Sequence, residues 1–175
     1  MHFCIKVLLF IFITHSLQAQ NLQDIQTFEA NFTQTIRSPS GKKISYRGIL
    51  HIHEPSLVRW QYITPIEKFV YIKKYTITII EPDLEQVVVT KLDKEINVLE
   101  LLKQATLISQ NTYSSNFNNI QYILTLKNNL LENIQYKDEL ENEVIITFKK
   151  VHQNHKIDNS IFKFTIPHDY DVIKK

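Results

Sequence analysis

The sequence predicts a mainly β fold with one helical part, in which consecutive antiparallel strands form a meander that a helix interrupts. Apolar and polar residues alternate from Phe28 onwards, and a period of two is typical of strands that bury one face. Short turns separate the alternating stretches, as expected for neighbouring antiparallel strands. Between Asp93 and Ile108 the apolar residues follow a helical spacing instead.

Three strands are predicted first. One begins at Phe28, the turn SPSGKK follows it, and the next begins at Ile44. The third extends from Leu57 to Ile63 and ends at Pro65, which cannot donate to a sheet ladder. The apolar phase of these strands defines one face, with these members: Phe28, Ala30, Phe32, Ile36, Tyr46, Leu50, Ile52, Val58, Trp60 and Tyr62.

The rest of the chain continues the same plan. The stretches KFVYI, YTITII and EQVVVTKL extend the meander to five or six strands. The amphipathic helix presents one apolar face: Val98, Leu101, Leu102 and Ala105. A polar connector, SQNTYSSNFNN, follows the helix, and the last strands are predicted at YILTLK, LENIQYKD, EVIITFKKV and IFKFTIP.

The first residues have the pattern of a secretory signal peptide. Lys6 precedes an apolar run from Val7 to Ile13, and the small residue Ala19 ends the segment. The run is far shorter than the roughly 20 residues that span a bilayer. We therefore expect a signal peptide over residues 1–19 and one periplasmic domain over residues 20–175, with an uncleaved anchor as the alternative.

Composition excludes several kinds of site. The only cysteine, Cys4, lies in the segment expected to be removed, so no disulfide, thiolate metal site or cysteine nucleophile is predicted. The 20 Lys and Arg residues nearly balance 18 Asp and Glu residues and are spread along the chain, which is unlike a nucleic-acid-binding protein. Gly41 and Gly48 are the only glycines, so no glycine-rich phosphate loop is present.

His51 and His53 raise the question of a metal site. Residues two apart on a strand share a face, so both rings could approach one ion. Zinc needs at least a third protein ligand, and Glu54 is out of phase with the histidines. We therefore predict that both histidines face solvent on the polar side of the strand, and that the protein binds no metal and no cofactor.

Several stretches together resemble the LolA family of periplasmic lipoprotein carriers. They are FEANFTQTI, SGKKISYRGILHI, EPSLVRWQYITP and EPDLEQVVVTKL, and the ending FKFTIPHDYDVI resembles that family's last strand. The resemblance implies an incomplete antiparallel β-barrel with a helical lid. It also implies a monomeric carrier that takes acylated lipoproteins from an inner-membrane transporter to an outer-membrane acceptor, with the apolar face given above as the acyl-chain cavity and Val98, Leu101, Leu102 and Ala105 as lid contacts.

Two departures from that family bear on the lid. Family members carry an arginine before the proline of the second turn and use it to lock the lid, whereas this chain has Glu54 before Pro55. The region from Gln110 to Leu131 is also short, which suggests that a strand or hairpin is missing. A lipid-sensing regulator built on the same barrel is the alternative from another class of protein, and a lipid- or glycan-acting enzyme comes third because no catalytic motif is present.

Overall fold

The computed structural model describes residues 24–91 and 98–175. Its strands are β1 Thr27–Arg37, β2 Lys43–His53, β3 Leu57–Thr64, β4 Lys68–Lys73, β5 Thr76–Glu81, β6 Gln86–Lys91, β7 Thr106–Ser109, β8 Thr112–Phe117, β9 Ile120–Lys127, β10 Leu130–Lys137, β11 Glu143–Gln153 and β12 Asp171–Lys174. The α-helix, α1, is Val98–Lys103. Single-turn 3₁₀ helices lie at Pro82–Leu84 and Asn159–Phe162. No helix within the described ranges has both the length and the hydropathy needed to cross a membrane.

The strands form one open sheet in the order β12-β6-β5-β4-β3-β2-β1-β11-β10-β9-β8-β7. Strands β1 to β6 are one antiparallel meander, and strands β7 to β11 are a second. The pair β1–β11 joins the two meanders, and β12 pairs with the edge strand β6 in parallel. The sheet does not close on itself, so the predicted incomplete antiparallel barrel is confirmed.

One face of this sheet carries the main core, and we call it the inner face. Phe28, Ala30 and Phe32 of β1 point to it and are at most 2% exposed. Matching positions on β2, β11 and β10 join them: Leu50, Ile52, Val144, Ile146, Phe148 and Ile134. The four apolar residues of α1 belong to the same cluster. The helix therefore covers part of the inner face.

The opposite, outer face is covered in part by the segment that follows β11. Phe164 packs on Tyr71 of β4 with a ring centroid distance of 4.6 Å, and Phe162 contacts His53 at 6.4 Å. Ile166 and Tyr170 pack against a small second core of Tyr71, Ile80 and Val87. We call residues 154–170 the outer strap.

Several sequence predictions need correction. The region between Gln110 and Leu131 contains β8 and β9, so strands lie where a polar connector was predicted. The predicted strand IFKFTIP is part of the outer strap, and the last strand is β12 instead. The helix ends at Lys103, so Ala105 lies beyond it, and the helix positions 93–97 are outside the described residues, as is the whole predicted signal peptide.

Candidate functional site

One fully buried row of the inner face begins beside the β2–β3 turn and belongs to the same apolar cluster as α1. Phe28 pairs with Ile52, and Ile52 pairs with Val58 on the next strand. These three side chains are 0–1% exposed. Ile72 of β4 continues the row and packs against the same cluster. Alternate apolar residues on neighbouring strands therefore form a continuous apolar wall across the sheet.

Helix α1 supplies the cover of this wall. Val98, Leu99, Leu101 and Leu102 are all buried, while Glu100 and Lys103 occupy its polar side. In proteins most helical stability comes from packing of an apolar face, and this helix has such a face. A cover that depends on one apolar contact surface can be displaced when another apolar group occupies that surface.

An ion pair fastens the helix to the sheet. Lys103 Nζ lies 2.9 Å from Glu54 Oε2 in the turn between β2 and β3, and 3.3 Å from Glu100 Oε1. The Glu54 side chain is 10% exposed, and its Oε1 is buried without a hydrogen-bond partner among the described residues. Burial opposes the charge of Lys103, but the hydrogen bonds and charges of Glu54 and Glu100 outweigh it and raise the lysine pKa. The resemblance implies an arginine at the position that Glu54 occupies. In this chain Glu54 contacts the helix through Lys103.

The end of the inner face away from α1 is aromatic and partly open. Tyr62 packs edge-on against Phe32 at 5.1 Å and against Tyr46 at 5.8 Å, and Trp60 meets Phe32 at 4.9 Å. Strands β1 and β3 are not neighbours, so Phe32 reaches Trp60 and Tyr62 only because Gly48 of the intervening β2 has no side chain. A Cβ at Gly48 would lie 2.8 Å from the Phe32 ring and 1.8 Å from the Gln61 carbonyl oxygen.

The two histidines lie on the outer face, as their phase predicts, but they are not fully exposed to solvent. The His51 side chain is only 13% exposed, because the outer strap brings His155 to the same carboxylate. His51 Nε2 and His155 Nε2 lie 3.7 and 3.3 Å from Glu29 Oε2. Desolvation lowers the pKa of His51, Glu29 opposes this change, and Arg59 and His155 add to it. The expectation of free solvated histidines was therefore wrong, since sequence alternation does not show what covers a face.

A separate groove of about 770 Å³ lies near the turns that end β8 and β10. Its lining includes the outward-facing Ile123, Gln135 and Ile145 together with the charged turn after β10. Tyr136 and Val144, whose side chains belong to or pack against the inner-face cluster, also line it, so the groove reaches the end of the inner face away from α1.

The structure brings the ten predicted cavity residues to one face. Phe28, Ala30, Phe32, Leu50, Ile52 and Val58 are buried, and Ile36, Tyr46, Trp60 and Tyr62 are partly exposed. The role of these residues, and of Val98, Leu101, Leu102 and Ala105, in holding acyl chains stays a prediction. Sequence reasoning missed the second meander's share of the face, although Val144, Ile146 and Phe148 show the same alternation.

An open antiparallel sheet with an apolar face partly covered by a helix is the architecture of a protein that binds apolar ligands. The family model of the outer membrane lipoprotein carrier protein LolA matches residues 23–103. An outer-membrane lipoprotein carrier protein of Campylobacter jejuni is 38% identical, over 96% of this chain and 97% of the relative. The carrier proteins of Helicobacter pylori (strain J99) and Wolinella succinogenes are 30% and 34% identical, over 95% and 87% of this chain and 92% and 90% of their own.

The chain belongs to the LolA family of outer membrane lipoprotein carrier proteins. Among solved structures, an uncharacterized conserved protein from Thermus thermophilus superposes with a TM-score of 0.55 at 10% identity, over 91% of this chain and 96% of that one. At that identity the likeness concerns the fold.

Proposed function

We propose that the protein is a periplasmic carrier that shelters lipoprotein acyl chains against the inner face of its sheet and moves them from the inner to the outer membrane. Its membership of the LolA family supports this function. Export by a signal peptide over residues 1–19 is part of the proposal, as are a lipoprotein-releasing transporter as donor and an outer-membrane acceptor. The proposed mechanism needs no catalytic step, because loading and release are exchanges of apolar contacts.

The position of α1 carries the proposal. Its four buried apolar side chains occupy the part of the inner face where an acyl chain would pack. Each buried CH₂ contributes about 0.8 kcal/mol, so an acyl chain gains more from this wall than from water. The empty protein must also hide the same wall, and the helix does so. Displacement of α1 by the acyl chain lets one surface serve both states, and the ion pair of Lys103 with Glu54 restrains the helix in the closed state.

A crosslink across the ion pair tests whether α1 must move. Cys4 is the only native cysteine, so a Cys4→Ser chain with Glu54→Cys and Lys103→Cys has one reactive pair. A short bis-maleimide joins the helix to the turn, and a mono-maleimide blocks both thiols without joining them. We expect the crosslinked protein to lose binding of a triacylated lipopeptide while the blocked protein retains it. Equal binding by the two forms would show that the helix is not a lid.

The cargo distinguishes the carrier from the lipid-sensing regulator. The protein should be isolated from its own periplasm under gentle conditions and examined by native mass spectrometry. A bound lipoprotein supports the carrier. A free lipid or a signalling protein, without lipoprotein, would favour the regulator.

A further inference from the structure

Four tyrosines gather at the end of the inner face farthest from α1, and we call them the tyrosine cluster: Tyr46, Tyr62, Tyr122 and Tyr136. Tyr46 and Tyr62 lie at 5.8 Å, and Tyr122 and Tyr136 at 4.9 Å, between ring centroids. The two pairs come from different meanders, β2–β3 and β9–β10. Burial raises the pKa of both Tyr62 and Tyr136 to about 12, and the charge that Tyr136 would carry adds to the shift at Tyr62. Tyr62, Tyr122 and Tyr136 all pack against the same core cluster, and Tyr46 packs on Tyr62, so both pairs lie on the inner face.

The cluster offers hydrogen-bond donors that the protein does not use. Tyr62 donates to Gln34 Oε1 at 3.1 Å, so the amide group of Gln34 lies beside the cluster. The hydroxyls of Tyr46, Tyr122 and Tyr136 make no hydrogen bond to any residue in the described ranges. These hydroxyls are also not among the fully buried polar atoms. They are therefore open to a ligand, and the rings of Tyr122 and Tyr136 pack against the apolar core cluster.

The cluster stands at a defined distance from the wall under α1. Gln34 is six residues beyond Phe28 on β1, and a strand rises about 3.3 Å per residue, so the two ends are roughly 20 Å apart. Apolar side chains connect them: Ala30, Phe32, Leu50, Trp60 and Ile146. This length is comparable to that of an extended long acyl chain. A chain that starts at the tyrosines would end beneath the helix.

We propose that the tyrosine cluster binds the ester and amide carbonyls that join the acyl chains to the glyceryl group and cysteine of a lipoprotein. The inference rests on the proposed carrier function and adds a polar subsite to it. Ester and amide carbonyl oxygens accept hydrogen bonds, and a carbonyl taken from water without a donor is costly. Phenol hydroxyls and the Gln34 amide supply donors, while the tyrosine rings adjoin the first methylenes. The ammonium of Lys68, 4.7 Å from the Tyr62 ring centroid, adds a further donor at the rim.

The test removes the hydroxyls and keeps the rings. The variant is Tyr46→Phe/Tyr122→Phe/Tyr136→Phe, and Tyr75→Phe, at a 55% exposed turn position, is the matched control. Three probes are compared by titration: a tripalmitoylated cysteinyl lipopeptide, the same lipopeptide with its two glyceryl esters replaced by ethers, and a short-chain phosphatidylglycerol. Near-UV circular dichroism and Tm verify that the variants are folded.

The triple variant should bind the ester lipopeptide about tenfold more weakly than the wild type, which corresponds to about 1.4 kcal/mol. Its affinity for the ether analogue should change much less, and Tyr75→Phe should change neither. Equal affinity of the folded triple variant and the wild type for the ester lipopeptide overturns the subsite. A loss confined to phosphatidylglycerol would overturn its assignment to lipoproteins and give it to free phospholipid. If the wild type binds neither lipopeptide, the carrier function itself fails. This outcome differs from failure of the subsite alone, in which the wild type and the triple variant bind the ester lipopeptide equally.

Discussion

Lys103 Nζ lies 2.9 Å from Glu54 Oε2, and this ion pair joins α1 to the turn between β2 and β3 across 49 residues of sequence. Both partners are mostly shielded from water, with side-chain exposures of 29% and 10%. Salt screens such a pair less than it screens an exposed one. Removal of this ion pair should therefore make it easier for the helix to leave the inner face.

Lys103→Met should weaken the closed state, because it leaves the Glu54 carboxylate buried without its cation. We expect a loss of about 1–3 kcal/mol in the free energy of unfolding. Binding of a triacylated lipopeptide should become faster at the same time. Lys137→Met is the matched control, since its pair with Glu141 at 3.1 Å is exposed on both sides and should matter by less than about 0.5 kcal/mol. An unchanged loading rate in a destabilised Lys103→Met protein would argue against the pair as a restraint on the helix.

Val58→Glu tests the apolar wall. Val58 is 1% exposed, so an unpaired carboxylate there should destabilise the fold by about 3–5 kcal/mol and impair lipopeptide binding by any molecules that remain folded. Val58→Leu adds one methylene and should cost about 1–2 kcal/mol. Chemical denaturation gives both values. Val172→Glu, at a position 47% exposed on β12, should stay within about 0.5 kcal/mol, and a comparable loss at both valines would contradict the burial argument.

Gly48→Ala should destabilise the sheet where β1 and β3 side chains meet. The new methyl group would overlap the Gln61 carbonyl oxygen, which belongs to the backbone of β3 and cannot rotate away. We expect a loss of about 2–3 kcal/mol by denaturant titration. Gly41→Ala is the comparison: its φ of +83° is unfavourable for alanine, but no atom lies within 4 Å, so about 1 kcal/mol is expected. A smaller effect at Gly48 than at Gly41 would mean that the packing over β2 is looser than described.

The outer-face histidines predict a pH dependence of stability. Because the folded pKa of His51 is below its ordinary 6.5, the unfolded chain binds a proton there more readily than the folded protein does. The contribution of neutral His51 to the free energy of unfolding is therefore fully present above pH 6.5. It decreases as the pH falls from 6.5 towards the lowered pKa of the folded protein. Glu29, Arg59 and His155 are the charged and titratable groups that shift this pKa.

Unfolding free energies of the wild type and His51→Gln between pH 8 and pH 5 isolate this contribution. The wild type should lose stability more steeply than the variant below pH 6.5, and the two curves should run parallel above it. A steeper loss in the variant would reverse the sign and contradict the desolvation argument. His168→Gln, at an exposed position of the outer strap, is the control.

Alternation in β1 to β3 was sufficient to predict which side chains share the inner face. A strand with one buried face cannot slip by a single residue without exposing every apolar side chain, so the pattern itself specifies the register. The same reasoning placed Val98, Leu101 and Leu102 on the buried side of the helix, where the structure has them.

Tertiary structure alone decided what covers each face. The partner of Glu54, the shielding of His51 by the outer strap and the parallel pairing of β12 with β6 all join residues far apart in the chain. Strand β8 escaped prediction because Thr112–Phe117 is largely polar and forms a strand by pairing with β7 and β9 instead of by burying an alternating face. Local periodicity predicts which side chains of an element are buried. Hydrogen bonds between strands and long-range ion pairs depend on how the whole sheet is assembled, so the local pattern does not predict them.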